Sequence, residues 1–428
     1  MTEFYSPDEA PDPAERERAL MAALPQQVAL AQGRPAYAAR LAGIDARTIV
    51  SRAALATLPV TRKHELLEHQ KAARAQPGNT DPFGGYSAAG WAAFAAPLAA
   101  RRVFQSPGPI YEPEGDAADH WRIARALHAA GLRAGELVHN SFSYHLTPAG
   151  AMMDSGAQAL GCTVFPAGVG NTELQLQAIA DLRPQAYCGT PSFLRILLEK
   201  AAEAGTRLSF TKALISGEAC PPSLRRWFDT QGVAVSQCYA TADLGLVAYE
   251  TRAREGLVLD ERVIVEIVRP GTDDPVPEPK AGKAPEVGEV VVTVLDPAYP
   301  LLRFGTGDLS AMLPGTCPSG RTAPRIRGWM GRADQTTKVR GMFVYPAQVA
   351  EIVRRHADVQ RARLVVAGER ADDTMTLRVE VAAPDEGLAA RLEQALREVT
   401  KLRGEVELLA PGTLPNDGKV IEDLRRYD

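Results

Sequence analysis

The strongest constraint on the fold of this chain is a rhythm that begins near Leu132, in which short β-like runs alternate with helical segments down to Tyr239. ELVHNSF is followed by the small-residue stretch AGAMMDSGAQALG and then by CTVFPAG. NTELQLQAIADL precedes AYCGT, SFLRILLEKAAEAG precedes KALIS, and PPSLRRWFDTQG precedes VAVSQCY. Strands joined through helices do not pair as hairpins, so the expectation is a parallel sheet with right-handed crossovers. Ligands of such sheets sit beyond the carboxyl ends of the strands. The loops CGTPS, ISGEA and CYATAD are therefore predicted to gather at the site.

The flanks have other textures. Up to about Gln70, ERERALMAALPQQVALAQ and SRAALATLPVTRKHELLEHQ space their apolar residues as helices do, with prolines interrupting. Beyond Thr251, VIVEIV, EVVVTVLD and two Pro/Gly-rich stretches read as antiparallel strands and turns. A last unit begins near Asp334: a helix over 347–356, strands RARLVVAG and TLRVEVAA, a helix over 388–403 and a strand EVELLA. With 428 residues the chain is long enough for two cores. The expected class is α/β, with a large domain over 1–332 and a small α+β domain over 333–428.

Composition narrows the function. Forty-eight basic and 52 acidic residues leave a net charge of −4, so no whole-chain field calls for nucleic acid. The 45% apolar and 23% charged content fits a folded globular chain and not a disordered one. Five cysteines without a CxxC pair argue against a disulfide framework or structural zinc and suit a reducing compartment. The acidic, Pro-rich start lacks the apolar core of a signal peptide, and AAGWAAFAAPLAA is too short to span a bilayer and is broken by Pro97. The expectation is a soluble cytoplasmic protein that binds neither membrane nor nucleic acid.

Several loops carry residue types suited to a nucleotide. FGTGD puts the Asp308 carboxylate behind a Gly-flanked turn, where it can accept both hydroxyls of a ribose or simply cap a backbone amide. YATAD supplies an aromatic to stack on a base, a hydroxyl for a phosphate and a carboxylate for Mg²⁺, although a strand end with a capped helix fits the same letters. GRADQTTKVRG also reads as a solvated charged turn, and Lys419 in LPNDGKV as a solvated cation. The seven histidines have no i,i+4 partner and no relay in sequence, which points to core or surface roles.

Taken together and in order, GTPSFLRIL, ISGEACPPSLRRWF, YATADLGLVAYE, LLRFGTGD, GRADQTTKVRGMFVYPAQV and LPNDGKV, preceded by LATLPVTRKHELLE, resemble the adenylate-forming enzymes. Within them the resemblance is to the phenylacetate–coenzyme A ligase family, and it covers essentially the whole chain. It implies a large AMP-binding domain and a small mobile lid. It also implies ATP- and Mg²⁺-dependent conversion of an aromatic carboxylic acid to an acyl-adenylate, followed by transfer to coenzyme A. The partners implied are the acid and coenzyme A, with a homodimer allowed.

Residue by residue, the resemblance assigns Asp308 to the AMP ribose and Tyr239, Ala240 and Thr241 to the nucleotide, with Asp243 on Mg²⁺. Gly217, Glu218 and Ala219 run along the base, Arg332 contacts the nucleotide, and Asp334 is the hinge. Arg340 and Gly341 lie on the face that closes over the pantetheine, and Lys419 is the catalytic lysine of the lid. Tyr144, His145 and Thr147 line the acyl pocket, with His145 and Thr147 standing where the family has a glycine and a bulky aromatic.

The phosphate loop departs most from the family. In VFQSPGPIYEPEG only Ser106 and Gly108 keep its character; Pro107 and Pro109 remove amides, and Glu112 and Glu114 are expected to repel phosphate. The pair Arg101–Arg102 is the nearest basic substitute. Two other readings stay open: an adenylating enzyme with another acyl acceptor, and a degenerate member that binds nucleotide or acyl-CoA without turnover.

Overall fold

The structure, a computed structural model, describes all residues except 1–3, 95, 107–108, 280–281, 336, 340–341, 369–372, 416–418 and 426–428, and gives only the backbone at 334, 338, 342 and 343. The chain divides into two compact units, Met1–Thr306 with Ala311–Gly328, and Gly307–Ser310 with Trp329–Asp428. This division and the partition at 332/333 differ only in the placing of Gly307–Ser310 and Trp329–Arg332.

The first unit is built on a nine-stranded sheet. Its parallel part runs Thr163–Pro166, Leu137–Asn140, Ala186–Gly189, Lys212–Ile215 and Ala234–Thr241, each strand beside the next. Beyond Ala234–Thr241 the sheet turns antiparallel through Gly245–Glu250, Leu257–Leu259, Arg325–Ile326 and Met312–Leu313. The strand residues alternate between two cores. Ala186, Cys188 and Leu214 pack with Met152 and Ala157 of the helix Ala149–Ala159, while Tyr187, Ala213 and Ile215 pack with Leu194, Leu197 and Phe228. Burial on both faces explains why these strands read as unbroken apolar runs.

The helix Pro191–Glu203 shows how local sequence sets such an element. Thr190 caps it by accepting from Phe193 N at 3.4 Å, Pro191 occupies the first turn, and Leu194, Leu197, Leu198 and Ala201 form its buried face. Each of those leucines contributes roughly 1.5–3 kcal/mol by burial.

Among the parallel strands the spatial order is second, first, third, fourth, fifth in chain order, so the winding reverses between Leu137–Asn140 and Ala186–Gly189. That crevice is where an open α/β sheet takes its ligand. A second, four-stranded sheet joins Thr61–Arg62, Phe304–Ser310, Gly288–Val294 and Val263–Val268.

The second unit has its own core. A four-stranded sheet, ordered Glu405–Leu409, Thr374–Val381, Val359–Ala367 and Ile421–Asp423, is covered by the helices Pro346–Arg355 and Leu388–Thr400. Val349 and Ile352 of one helix and Leu388, Leu392 and Leu396 of the other pack on Leu364, Val366, Leu377 and Val379. No helix among the described residues is long and apolar enough to cross a membrane.

Candidate active site

At the reversal of winding the chain leaves Asn140 into the segment Ser141–Tyr144. Ser141 N donates to Cys188 O at 2.8 Å and its hydroxyl to Tyr187 Oη at 2.6 Å, which binds the two strand ends together. Asn140 is fully engaged: Nδ2 donates to Tyr144 Oη and to Gly150 O, both at 2.8 Å, and Oδ1 accepts from Phe142 N. The Tyr144 oxygen is thus an acceptor for Asn140, and its own proton is left to point elsewhere. Tyr144 and Thr147 are half-buried, whereas His145 is exposed. His139 is a core residue with Nε2 2.7 Å from Gln175 Oε1.

On the next loops, Glu218 accepts from Ser192 N and Oγ, and Gly217 takes φ +81, a conformation in which a side chain is strained. Ala219 is exposed beside them. The strand carrying Tyr239, Ala240 and Thr241 is bulged between Tyr239 and Ala240, which re-aims the side chains at its end. Thr241 Oγ1 accepts from Leu244 N at 3.1 Å, so this hydroxyl also braces the turn into Asp243.

Asp243 is buried, and Lys63 donates to its Oδ2 at 2.8 Å. Sequence reasoning missed Lys63. It opens the helix Lys63–Ala75, and 180 positions separate it from Asp243. Asp243 Oδ1 makes no hydrogen bond among the described residues. A buried carboxylate oxygen of that kind is a donor type that suits a hard divalent cation, although no group of three or more His, Cys, Asp or Glu among the described residues is placed to hold one.

The proline-rich phosphate-loop segment forms a hairpin, Arg102–Ser106 against Ile110–Glu114, with Ser106 opposite Ile110. Pro107 and Gly108 lie outside the described residues. The glutamates do not stand free as the sequence suggested. Glu114 is buried in a forked pair with Arg102, whose Nη2 donates to Oε1 at 2.8 Å. Glu112 is buried and accepts from Ser106 Oγ at 2.5 Å. Burial first, and the neighbouring Asp243 second, push its carboxyl up to about 8, with Lys63 and the Ser106 hydroxyl opposing. The same two carboxyls act on the buried Tyr299, whose phenol is raised well above its ordinary range, chiefly by burial. A protonated Glu112 carries no charge with which to repel phosphate.

This has a measurable consequence. The folded protein keeps the Glu112 proton after the unfolded chain, near 4.5, has released it. The stability contributed by Glu112 is complete below about 4.5 and is lost as pH rises through about 8. Glu112→Gln, neutral and able to accept from Ser106, should remove that fall. Urea midpoints of both proteins between pH 5 and pH 9 check it: the gap should widen in favour of the variant as pH rises, and a constant gap would contradict the assignment.

In the second unit, Asp308 and Arg332 face each other across an antiparallel bridge, flanked by Leu309 N to Gly331 O at 2.8 Å and Met330 N to Leu309 O at 2.9 Å. Asp308 Oδ1 accepts from Arg332 Nη1 at 3.2 Å and from Trp329 Nε1 at 3.1 Å. Gly307 has φ +73, a backbone conformation that favours glycine, and a Cβ there would stand 2.6 Å from Arg332 Nη2 and displace the guanidinium. The backbone of Asp334 lies in the short 3-10 turn Ala333–Gln335; Arg340 and Gly341 lie outside the described residues. Lys419 is exposed just ahead of the strand Ile421–Asp423. Its neighbour Val420 donates to Gln335 Oε1 at 2.8 Å, which ties the lysine loop to the 3-10 turn.

Comparison with known proteins gives the same outline. Residues 149–294 match the family described as AMP-binding enzyme, and residues 341–424 its C-terminal domain. A phenylacetate–coenzyme A ligase of Thermus thermophilus is 31% identical over 99% of this chain and 100% of its own length. One from Escherichia coli is 26% identical over 68% of this chain and 67% of its own. The crystal structure of a 2-hydroxyisobutyryl-CoA ligase in the postadenylation state, in complex with 2-HIB-AMP, superposes with a TM-score of 0.77 at 25% identity, covering 99% of this chain and 92% of that one.

Proposed function

This chain belongs to the phenylacetate–coenzyme A ligase family of AMP-binding enzymes, and from that premise we propose that it joins an aromatic or related carboxylic acid to coenzyme A while cleaving ATP to AMP and pyrophosphate. The acid's carboxylate oxygen attacks the α-phosphorus, the bond to pyrophosphate breaks, and an acyl-adenylate results. The coenzyme A thiolate then attacks the acyl carbon and AMP leaves. Two displacements replace one unfavourable acylation.

The observation that carries the reading is the Asp308 carboxylate, held by Arg332 behind a turn whose positive φ at Gly307 favours glycine. It offers the ribose charge-assisted hydrogen bonds at a fixed place. Tyr239, Ala240 and Thr241 face the nucleotide from the bulged strand end, and Gly217, Glu218 and Ala219 from the neighbouring loop. Lys419 supplies a cation where charge builds as pyrophosphate departs. Asp243 would hold Mg²⁺, which when bound neutralises phosphate charge. Lys63 donates to the Asp243 carboxylate and orients it. By the family resemblance Asp334 is assigned as the hinge; Arg340 and Gly341, assigned to the pantetheine, lie outside the described residues.

The acid pocket is assigned to the crevice beyond Asn140, with Tyr144 and Thr147 at its wall and the exposed His145 at its rim. The Tyr144 hydroxyl accepts from Asn140, so it meets the substrate as a donor. A partly desolvated donor left unpaired penalises a plain hydrocarbon ring. The preferred acid should therefore carry a hydroxyl, amine or ring nitrogen. A panel of polar and apolar aryl acids compared by kcat/KM checks this, and unsubstituted phenylacetate as the best substrate would refute it.

The hairpin favours a second reading, in which nucleotide is bound without turnover. Ser106 is committed to Glu112 and Arg102 to Glu114, so among the described residues of the hairpin these two donors are already engaged and not offered to the β- and γ-phosphates. MgATP should bind more weakly than AMP at matched ionic strength. Weak MgATP binding with no pyrophosphate release on any acid would select the second reading over the first.

A further inference from the structure

We infer that Trp329 is a positioning residue of the ribose site, where its indole N–H sets the orientation of the Asp308 carboxylate that receives the sugar. The inference rests on the nucleotide reading of Asp308 given above. Trp329 is 53% exposed, so the burial of its ring accounts for little of its value at this position. Its ring makes no aromatic or cation–π contact among the described residues. The feature that fixes it is the 3.1 Å hydrogen bond from Nε1 to Asp308 Oδ1.

The terminal torsion of an aspartate is broad and roughly two-fold, so a carboxylate on a turn does not orient itself. Here two donors, Trp329 Nε1 and Arg332 Nη1 at 3.2 Å, converge on the same oxygen. The two residues between them, Met330 and Gly331, are clamped to the Asp308 strand by the Leu309–Gly331 and Met330–Leu309 hydrogen bonds. Two convergent donors on a rigid frame hold the plane of the carboxylate before any ligand arrives. Recognition of a diol by two hydrogen bonds depends on that plane, and recognition of adenine or phosphate does not. Preorganisation of this kind appears as selectivity for the group being recognised.

The test is Trp329→Phe, which keeps a ring and removes the N–H. Calorimetry on the full-length protein would give the affinities for AMP and for 2′,3′-dideoxy-AMP. The ratio between them should shrink in the variant by roughly 2- to 12-fold, the weight of one net hydrogen bond, while the dideoxy affinity stays at the wild-type value. The emission of Trp329, one of four tryptophans, should also respond to AMP in the wild type, and the response should disappear with the variant. An unchanged ratio in a variant with a wild-type melting temperature would overturn the inference and leave the nucleotide reading standing. Wild-type protein that does not distinguish AMP from its dideoxy analogue would overturn the ribose assignment itself.

Discussion

Replacing Lys419 by alanine is expected to lower acid-dependent pyrophosphate release by roughly 10²-fold or more, the scale of removing one fixed positive group from a transition state that gains negative charge. The fold should be untouched. Lys419 is exposed, and the segment it leads is attached through its backbone: Val420 N to Gln335 Oε1 at 2.8 Å, Leu364 N to Val420 O at 2.9 Å, and Ile421 in register with Leu364. Lys419→Arg should recover little, because a planar fork does not reproduce a compact ammonium ion. Pyrophosphate release beside a thermal melt separates catalysis from stability. A wild-type rate in Lys419→Ala would remove the lysine from the mechanism.

Asp308→Ala is expected to weaken AMP binding by about 1.5–3 kcal/mol, or about 10- to 150-fold, as charge-assisted hydrogen bonds to the sugar are lost. The variant leaves the Arg332 guanidinium without this carboxylate, but the arginine is partly solvated, which limits any penalty to folding. Calorimetry with AMP reads the loss directly. Against 2′,3′-dideoxy-AMP the variant and the parent should bind alike, and a parallel loss for both nucleotides would mean that Asp308 acts by shaping the turn.

What could be read from the sequence follows from the range of the interactions involved. The parallel strands from Leu137 to Thr241 declare themselves through apolar runs bounded by helices, and the structure places them within a residue or two. The second unit was equally legible: helices expected over 347–356 and 388–403 are Pro346–Arg355 and Leu388–Thr400. The roles proposed for Asp308, Arg332 and Lys419 come from the order of the motifs, because neighbours in sequence cannot distinguish a ribose acceptor from a turn cap. Lys63 was illegible for another reason. Its partner Asp243 is 180 positions away, and only the fold brings them to 2.8 Å. The hairpin misled in the same way. Glu112 and Glu114 looked like bare charges until the cross-strand register set Arg102 opposite Glu114 and brought Ser106 to Glu112. Trp329 carries no sequence signal of its own; its meaning comes from the carboxylate it touches.

The central claim is that this chain activates a carboxylic acid through an adenylate and hands it to coenzyme A. Pyrophosphate release measured with MgATP over a panel of aryl and hydroxy acids, with and without coenzyme A, tests it most directly. The account predicts release that depends on the acid, with AMP and an acyl-CoA thioester formed in equal amounts once coenzyme A is present. No acid-dependent pyrophosphate from any member of the panel, in protein that binds AMP, would contradict it.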